Sequence, residues 1–371
     1  MQYRHLTAYA LLSLSIGLSA CSTAPLNLPA PHATETQSLL HLEDQFHLNN
    51  LATHFPDPLA ITPEMKAFVK QHVPESLPEV GRLRYLTEAL RNPRTFGISY
   101  HSGLTLTAAE TFEQKHGNCI SLTVLFIALA KEAKLNAWVN EVVENQDQEL
   151  LADNRIAVYK HINAVVQLPN KQVVVDFSDL GDAYLRPQQR IPETRAAAQY
   201  YSNRGVDMLG ENQLGLAYQY FKRALQLDTG TSYIWGNLGT LLNRMELYTE
   251  AEIAFREAYS LDNNDHTALG NLERLYLNSG KKSEAKQIRQ VIVRRQLNNP
   301  YWHYGIAKQA FEEGKTEDAL RSALRAIRLD NSEYRFYYFA AQIYRELGDR
   351  DNYHKFGIKA AMMRKAAQDA E

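Results

Sequence analysis

The chain has little cysteine and no surplus of charge. Of 371 residues only Cys21 and Cys119 carry a thiol, so a disulfide framework of the kind that staples small exported domains is excluded. Lys and Arg number 40 against 42 Asp and Glu, a formal net charge of −2. That leaves no basic footprint for nucleic acid, which is not expected as a partner. There is no Gly-rich phosphate loop, no Gly-x-Ser-x-Gly, no Cys-x-x-Cys and no His-Glu-x-x-His, which removes the commonest signatures of nucleotide, serine-hydrolase and zinc chemistry. His101, His116, Cys119 and His161 lack metal-ligand spacing, so no metal and no cofactor is expected. The 45 % hydrophobic content is that of a globular chain, long enough for two domains.

The amino terminus carries Arg4 and His5 before an apolar run from Ala8 to Leu18. That run is too short to span a bilayer and has the length of a signal-peptide core. It ends in Leu18-Ser19-Ala20-Cys21, which resembles a bacterial lipobox. The resemblance implies a signal peptide over 1–20 and a lipid anchor on Cys21, the membrane being reached through that anchor only. Ser22 follows the anchor where an aspartate would imply retention in the inner membrane, so the expected place is the outer membrane, facing the periplasm. Residues 22–37, with three prolines and no apolar period, read as part of an extended tether over 21–38.

A folded domain is expected over 39–190. Thr62-Pro63-Glu64 is a helix start, and "VGRLRYLTEALRN" a second helix. Thr107-x-x-Glu110 reads as a capping box for "AAETFEQKH", with Gly117 as its left-handed C-cap. Asn118 can cap the next helix, which opens at Cys119 and carries Leu122, Leu125, Phe126, Leu129 and Ala130 on one face. Three β-rich runs follow at 137–143, 156–168 and 172–178, with "LPNK" as a turn between the second and third. Helices first and an antiparallel sheet after them make the domain α+β.

Cys119 is the thiol that the lipid anchor would leave without a partner. His161 and Asp176 stand later in the chain, each in an expected strand. A thiol needs a base to take its proton and the base needs a carboxylate to fix its tautomer, and these three residue types supply that set. Amide groups and the dipole at a helix start further favour a thiolate. If "LPNK" sets Leu168 opposite Lys171, paired positions sum to 339. Asn163 then faces Asp176, and His161 lies diagonal to Asp176 on the same face of the sheet. Glu141 and Glu144 sit at a strand end and read as solubilising charge, and Tyr159 and Tyr184 as packing residues.

"TAAETFEQKHGNCISLTVLFIALAKEAKLNAW", "HINAVV" and "VVVDFSD" resemble the three core segments of the transglutaminase-like superfamily over roughly 85–185. The resemblance implies a papain-like core, with Cys119 as nucleophile, His161 as base and Asp176 as orienting acid. It implies action on peptide or amide bonds as a cysteine peptidase, amidase or acyl transferase. Ile120 follows the cysteine where papain-like enzymes often have an aromatic, and Ile162-Asn163 stand where many relatives have Ala-Trp. The Cys119 amide, with Gln114 or Asn118, is a candidate oxyanion donor.

Beyond 195 the character changes. Ala217, Ala251, Ala285 and Ala319 recur every 34 residues, with Ala224, Ala258, Ala326 and Ala360 in the same frame. That period resembles the tetratricopeptide repeat (TPR) and implies an all-α solenoid over 195–368. Its five units start near 198, 232, 266, 300 and 334. The third is degenerate, with Glu273 for a glycine and Arg289 for an aromatic, and so is the fifth, with Tyr353 and Gly357. In such arrays the first helix of each pair lines a concave groove. Here that frame selects Tyr233, Asn243, Arg274, Tyr301, Tyr304, Lys308 and Arg345 as partner-binding positions, suited to a polypeptide substrate or envelope protein.

Two functions are therefore expected in competition. One is a cell-envelope lipoprotein that forms a thioester at Cys119, its repeats recruiting a protein. The other is a lipid-anchored TPR scaffold whose transglutaminase-like domain is inactive. A thiol redox role lacks a resolving cysteine.

Overall fold

A computed structural model describes residues 28–42, 55–142, 148–150, 156–158, 161–177, 188–263 and 266–369. The expected signal peptide, Cys21, Glu144, Tyr159 and Tyr184 lie outside the described residues. In chain order the elements are α1 (Ala33–Ser38), α2 (Pro63–His72), α3 (Glu79–Arg91), β1 (Ser99–Tyr100), α4 (Ala108–Gln114), β2 (His116–Gly117) and α5 (Cys119–Glu132). Then come β3 (Asn136–Val142), β4 (Gln148–Leu150), β5 (Ile156–Val158), β6 (Ile162–Leu168), β7 (Lys171–Val175) and β8 (Gln188–Ile191). The helical remainder is α6 (Glu193–Gly210), α7 (Leu214–Leu227), α8 (Ser232–Arg244), α9 (Tyr248–Leu261) and α10 (His266–Asn278). It continues through α11 (Lys282–Asn298), α12 (Pro300–Glu312), α13 (Thr316–Leu329), α14 (Tyr334–Glu346) and α15 (Arg350–Asp369).

Local chemistry sets the helix starts. Thr62 accepts the Met65 amide at 3.3 Å, with Pro63 in the first turn where its missing N–H costs nothing. Thr107 and Glu110 form a reciprocal capping box. The C-cap of α4 is Lys115 at φ 61°, not Gly117 as the sequence suggested. Gly117 is required for another reason: a Cβ there would lie 2.5 Å from the Cβ of Ser121, in the first turn of α5.

Every residue of α5 from Ile120 to Ala130 is buried. The expected single apolar face understates this, because α5 is enclosed by β3 and β6 on one side and by α2, α3, α4 and α6 on the others. The main sheet has the order β7-β6-β3-β8, antiparallel throughout. Leu168 pairs with Lys171 and Ala164 with Val175, the register that the turn implied. The expected 156–168 strand is divided: β5 pairs with β4 as a separate hairpin and β6 alone joins the sheet.

From α6 onward the chain is five antiparallel helix pairs. The turn inside each pair holds one residue at positive φ, at Asn212, Glu246, Gly280, Gly314 and Gly348, spaced by 34 like the alanines. Gly205 and Gly239 accept the rings of Phe221 and Phe255, where a Cβ would come within 2.6 and 2.7 Å. One hydrophobic core runs from Leu39 to Ile292, so the α+β part and the first three pairs pack as a unit. A second, built from Ala307, Ala310, Ala319, Ala323, Ala340 and Ile343, holds the last two.

The segment read as tether is not extended over its described part. It forms α1, and Arg256 donates to the Pro29 carbonyl at 3.1 Å. Just beyond it Leu39, Leu40 and Leu42 are buried, with the Tyr218 hydroxyl accepting from the Leu42 amide at 3.0 Å and donating to the Leu39 carbonyl at 2.9 Å. Composition favoured an open chain, and burial of the three leucines against the repeats overrides it.

Candidate active site

The first residue of α5 is Cys119, half-buried and not in a disulfide. Asn118 is spent on holding that helix start: its Oδ1 accepts the Ser121 amide at 3.1 Å and its Nδ2 donates to Thr105 at 2.9 Å. It is the cap of α5. Gln114 closes α4 and is exposed. The amides at positions 119 and 120 are those that a helix start leaves without intrahelical acceptors, so backbone N–H donors lie beside the sulfur.

His161 and Asp176 occupy the ends of paired strands, one residue before β6 and one after β7. Their side chains meet at 2.6 Å, His161 Nε2 to Asp176 Oδ2, with His161 only 5 % exposed. Burial disfavours the His161 cation. The hydrogen bond to Asp176, then the hydrogen bond and charge of Cys119, outweigh it and push the imidazole pKa up to about 9. Asp176 and Cys119 thus both act on the His161 ring, the acid through a direct hydrogen bond and the thiol among the groups that raise its pKa. With Nε2 committed to the carboxylate, Nδ1 is the ring atom left to exchange a proton with the sulfur.

Three further residues fix this geometry, and of these the strand register pointed only to Asn163, as the residue facing Asp176. Arg91 from α3 donates to the Asp176 carbonyl at 2.8 Å. Thr123, one turn along α5 from Cys119, donates to the Ile162 carbonyl at 3.4 Å and so ties the helix to the start of β6. Asn163, opposite Asp176 in register, places Nδ2 3.5 Å from the Asp176 carboxylate, while its own Oδ1 is buried without a hydrogen-bond partner.

Glu141 is not a solvated strand end. It is buried, accepts from Gln199 at 2.9 Å and lies 3.2 Å from Arg195, which also approaches Asp228 at 3.6 Å. This cluster joins β3 to α6 and the end of α7. Tyr233, the first inner residue of α8, belongs to the same group. Burial raises its hydroxyl pKa well above the ordinary value, the charges of Glu141, Asp228 and Cys119 add to the rise, and Arg195 opposes it. A residue read as groove lining therefore stands within electrostatic reach of the thiol.

The other six inner positions are spread over α8, α10, α12 and α14, each in its own surroundings. Arg274 donates to Asn271 at 2.7 Å, Tyr301 donates to Glu333 at 3.1 Å, and Tyr304 packs against Phe336 and Phe339 with Lys308 5.8 Å from its ring. Asn243 has a buried side-chain oxygen without a partner, and Arg345 lines a cavity at the far end of the solenoid. The β4–β5 hairpin lies against α10 and α12, on the inner helices themselves. Sequence frame locates such residues on the inner helices; it says nothing of what the rest of the chain lays over them.

Residues 232–265, the α8–α9 pair, match the tetratricopeptide repeat family, and the helical part is a TPR-like solenoid. No curated protein matches the chain at a significant level. Similar solved structures include MamA from residue 41 onward of Desulfovibrio magneticus RS-1, 15 % identical, covering 46 % of this chain and 96 % of that one at a TM-score of 0.26. YrrB, described as a TPR protein with an unusual peptide-binding site, is 20 % identical and covers 47 % of this chain and 91 % of its own at 0.26. PilF of Pseudomonas aeruginosa is 19 % identical over 48 % and 87 % of the two chains, also at 0.26.

Proposed function

We propose that this protein is a cysteine-dependent acyl-transfer enzyme of the transglutaminase-like kind, acting on peptide or amide bonds and carried on a TPR solenoid that engages protein partners. The observation that carries the reading is the unbroken set Cys119, His161 and Asp176, with the 2.6 Å contact between the last two and the thiol as the ring's second side-chain partner. A cationic imidazole facing the sulfur is the environment a thiolate nucleophile requires.

In this reading the Cys119 sulfur adds to the substrate carbonyl carbon while the amides at the start of α5 hold the oxyanion. The carbon–nitrogen bond breaks as His161 passes its proton to the leaving amine, and a thioester remains. Water, deprotonated by His161, then releases the acid and regenerates the thiol; an amine in its place gives a crosslink. Asp176 keeps the ring oriented throughout and takes no proton. The lipobox-like residues around Cys21 would place this chemistry at the envelope, on the periplasmic face of the outer membrane.

The test is alkylation of Cys119 by iodoacetamide at neutral pH in the full chain, beside His161→Ala and Asp176→Asn, with Cys119→Ser as the blank. The native rate should exceed that of His161→Ala by about tenfold or more. Equal rates in all three thiol-bearing proteins would sink the enzyme and leave a TPR scaffold. Loss of membrane association in Cys21→Ser checks the anchor.

A further inference from the structure

The last repeat departs from a rule that the first two keep. At positions 205 and 221, and again at 239 and 255, a glycine on the first helix receives a phenylalanine ring from the second. At 341 and 357 the pair is Ala341 and Gly357, and a Cβ at Gly357 would meet nothing within 4 Å. A cavity of about 920 Å³ stands between α14 and α15, with Ala341 and Gly357 among its lining residues.

Its apolar wall includes Tyr338 and Ile358, which are 58 % and 60 % exposed, and Met362 continues the same face of α15 at 68 %. Along it stand Arg345, Arg364 and Lys365, with a further cation, Arg335, held by Glu333, and none of the described residues that line the cavity is acidic. Earlier in the solenoid three of the second helices are covered by the first helix of the next pair, α7 by α8, α9 by α10 and α13 by α14. Among the described residues no element follows α15 to cover it.

We propose that this end groove docks an acidic amphipathic helix of a partner polypeptide. The helix would lie where another repeat's first helix would stack, with one large apolar side chain entering the space beside Gly357 and carboxylates facing Arg345, Arg364 and Lys365. Charge decides against a second copy of this chain. Two identical end faces would set the cations Arg345, Arg364 and Lys365 against their own copies across a two-fold contact. The inference is independent of the reading of Cys119, since the groove is built from the last repeat alone.

The test uses a fluorescent synthetic helix of about 14 residues, four turns, with Leu and Phe on one stripe and Glu elsewhere. The control peptide has Lys in place of Glu. Both are titrated by anisotropy into the full chain, into Gly357→Phe, which supplies the ring that the first two repeats have, and into the surface double variant Arg364→Glu with Lys365→Glu. The Glu peptide should saturate on the native chain, weaken with added salt and weaken about tenfold or more in either variant. The Lys peptide should not saturate. The proposal is overturned if the Glu peptide fails to saturate, if the Lys peptide binds equally, or if neither variant weakens binding. Concentration-dependent dimers of the native chain that Gly357→Phe abolishes would assign the groove to a second copy, and would overturn it too.

Discussion

Arg289 donates to Glu273 across 2.6 Å, at the two positions of the third repeat where the first two place a phenylalanine against a glycine. Two departures that look like decay in the sequence are thus one exchange: an apolar knob and its socket have become an ion pair. The Glu273 side chain is 11 % exposed, so removing only the cation leaves a carboxylate in a poor solvent. Arg289→Ala should therefore destabilise the chain by about 2–3 kcal/mol, somewhat below the cost of breaking a fully buried pair because the arginine end is wet. Restoring the pattern with Glu273→Gly and Arg289→Phe together should be neutral or stabilising. Urea unfolding of the single and double variants decides the point; a double variant as weak as the single one would show that the exchange is not compensated.

The imidazole of His161 gives stability a pH dependence whose sign follows from its position. Its folded pKa, about 9, stands above the ordinary value of 6.5. The folded state therefore holds the proton more tightly, and the stabilisation is complete below pH 6.5 and fades as the pH rises through 9. The gap in unfolding free energy between the native chain and His161→Gln should be widest in the acidic part of that window, on the order of 3 kcal/mol at most, and should close above it. A gap that widens toward alkaline pH would contradict the arrangement around the ring.

Gly117 supplies a steric test of how the thiol is placed. Because a Cβ at this position would meet the Ser121 Cβ at 2.5 Å, Gly117→Ala must push the chain away from the first turn of α5. The expected cost is about 1–3 kcal/mol. Thermal unfolding measures the cost. Ser121→Gly in the same chain removes the opposing atom and should recover part of it, whereas a clash that had been absorbed elsewhere would leave the two substitutions additive.

The solenoid was legible because a 34-residue period survives in residues that serve packing whatever they pack beside. The β6–β7 register was legible because an even turn fixes which residues share a face, and that placed His161 beside Asp176. What the sequence did not show was contact made over long separations. Glu141 meets Gln199 58 positions away and Arg256 meets Pro29 227 positions away. No local pattern distinguishes such a carboxylate from a solvated one, or such a proline from a tether. The same limit applies to the inner helices, where frame alone did not show that Tyr233 lies within electrostatic reach of Cys119 while Arg345 lines a cavity at the far end.

The turn residues carry the repeat into the backbone, and two of them pay for it in strain. Asn212 and Glu246 hold φ of 61° and 65° where the later repeats have glycine. Glu246→Gly should stabilise the chain by about 0.5–1 kcal/mol, the relief of a left-handed L-residue less the added entropy of glycine. Asn212→Gly should give less, because asparagine tolerates this conformation. Equilibrium unfolding of the two variants ranks them, and a loss of stability in Glu246→Gly would mean that the side chain contributes more than its backbone costs.

Tyr233 tests whether the solenoid shapes the reactive site or merely adjoins it. The residue comes from α8, yet Cys119 is among the charges that raise its hydroxyl pKa. If its ring forms part of the wall around the sulfur, Tyr233→Ala should speed alkylation of Cys119 by a bulky maleimide while leaving the small iodoacetamide nearly unaffected. Tyr233→Phe keeps the ring and should match the native chain with both reagents. A common acceleration for large and small reagents would point to general loosening of the α8 contact, as would a fall in thermal stability of several degrees, the shift that a loss of about 1 kcal/mol gives. The selective outcome would mean that the repeat which matches the TPR family also sets what reaches the thiol, so that partner binding and access to Cys119 share a wall.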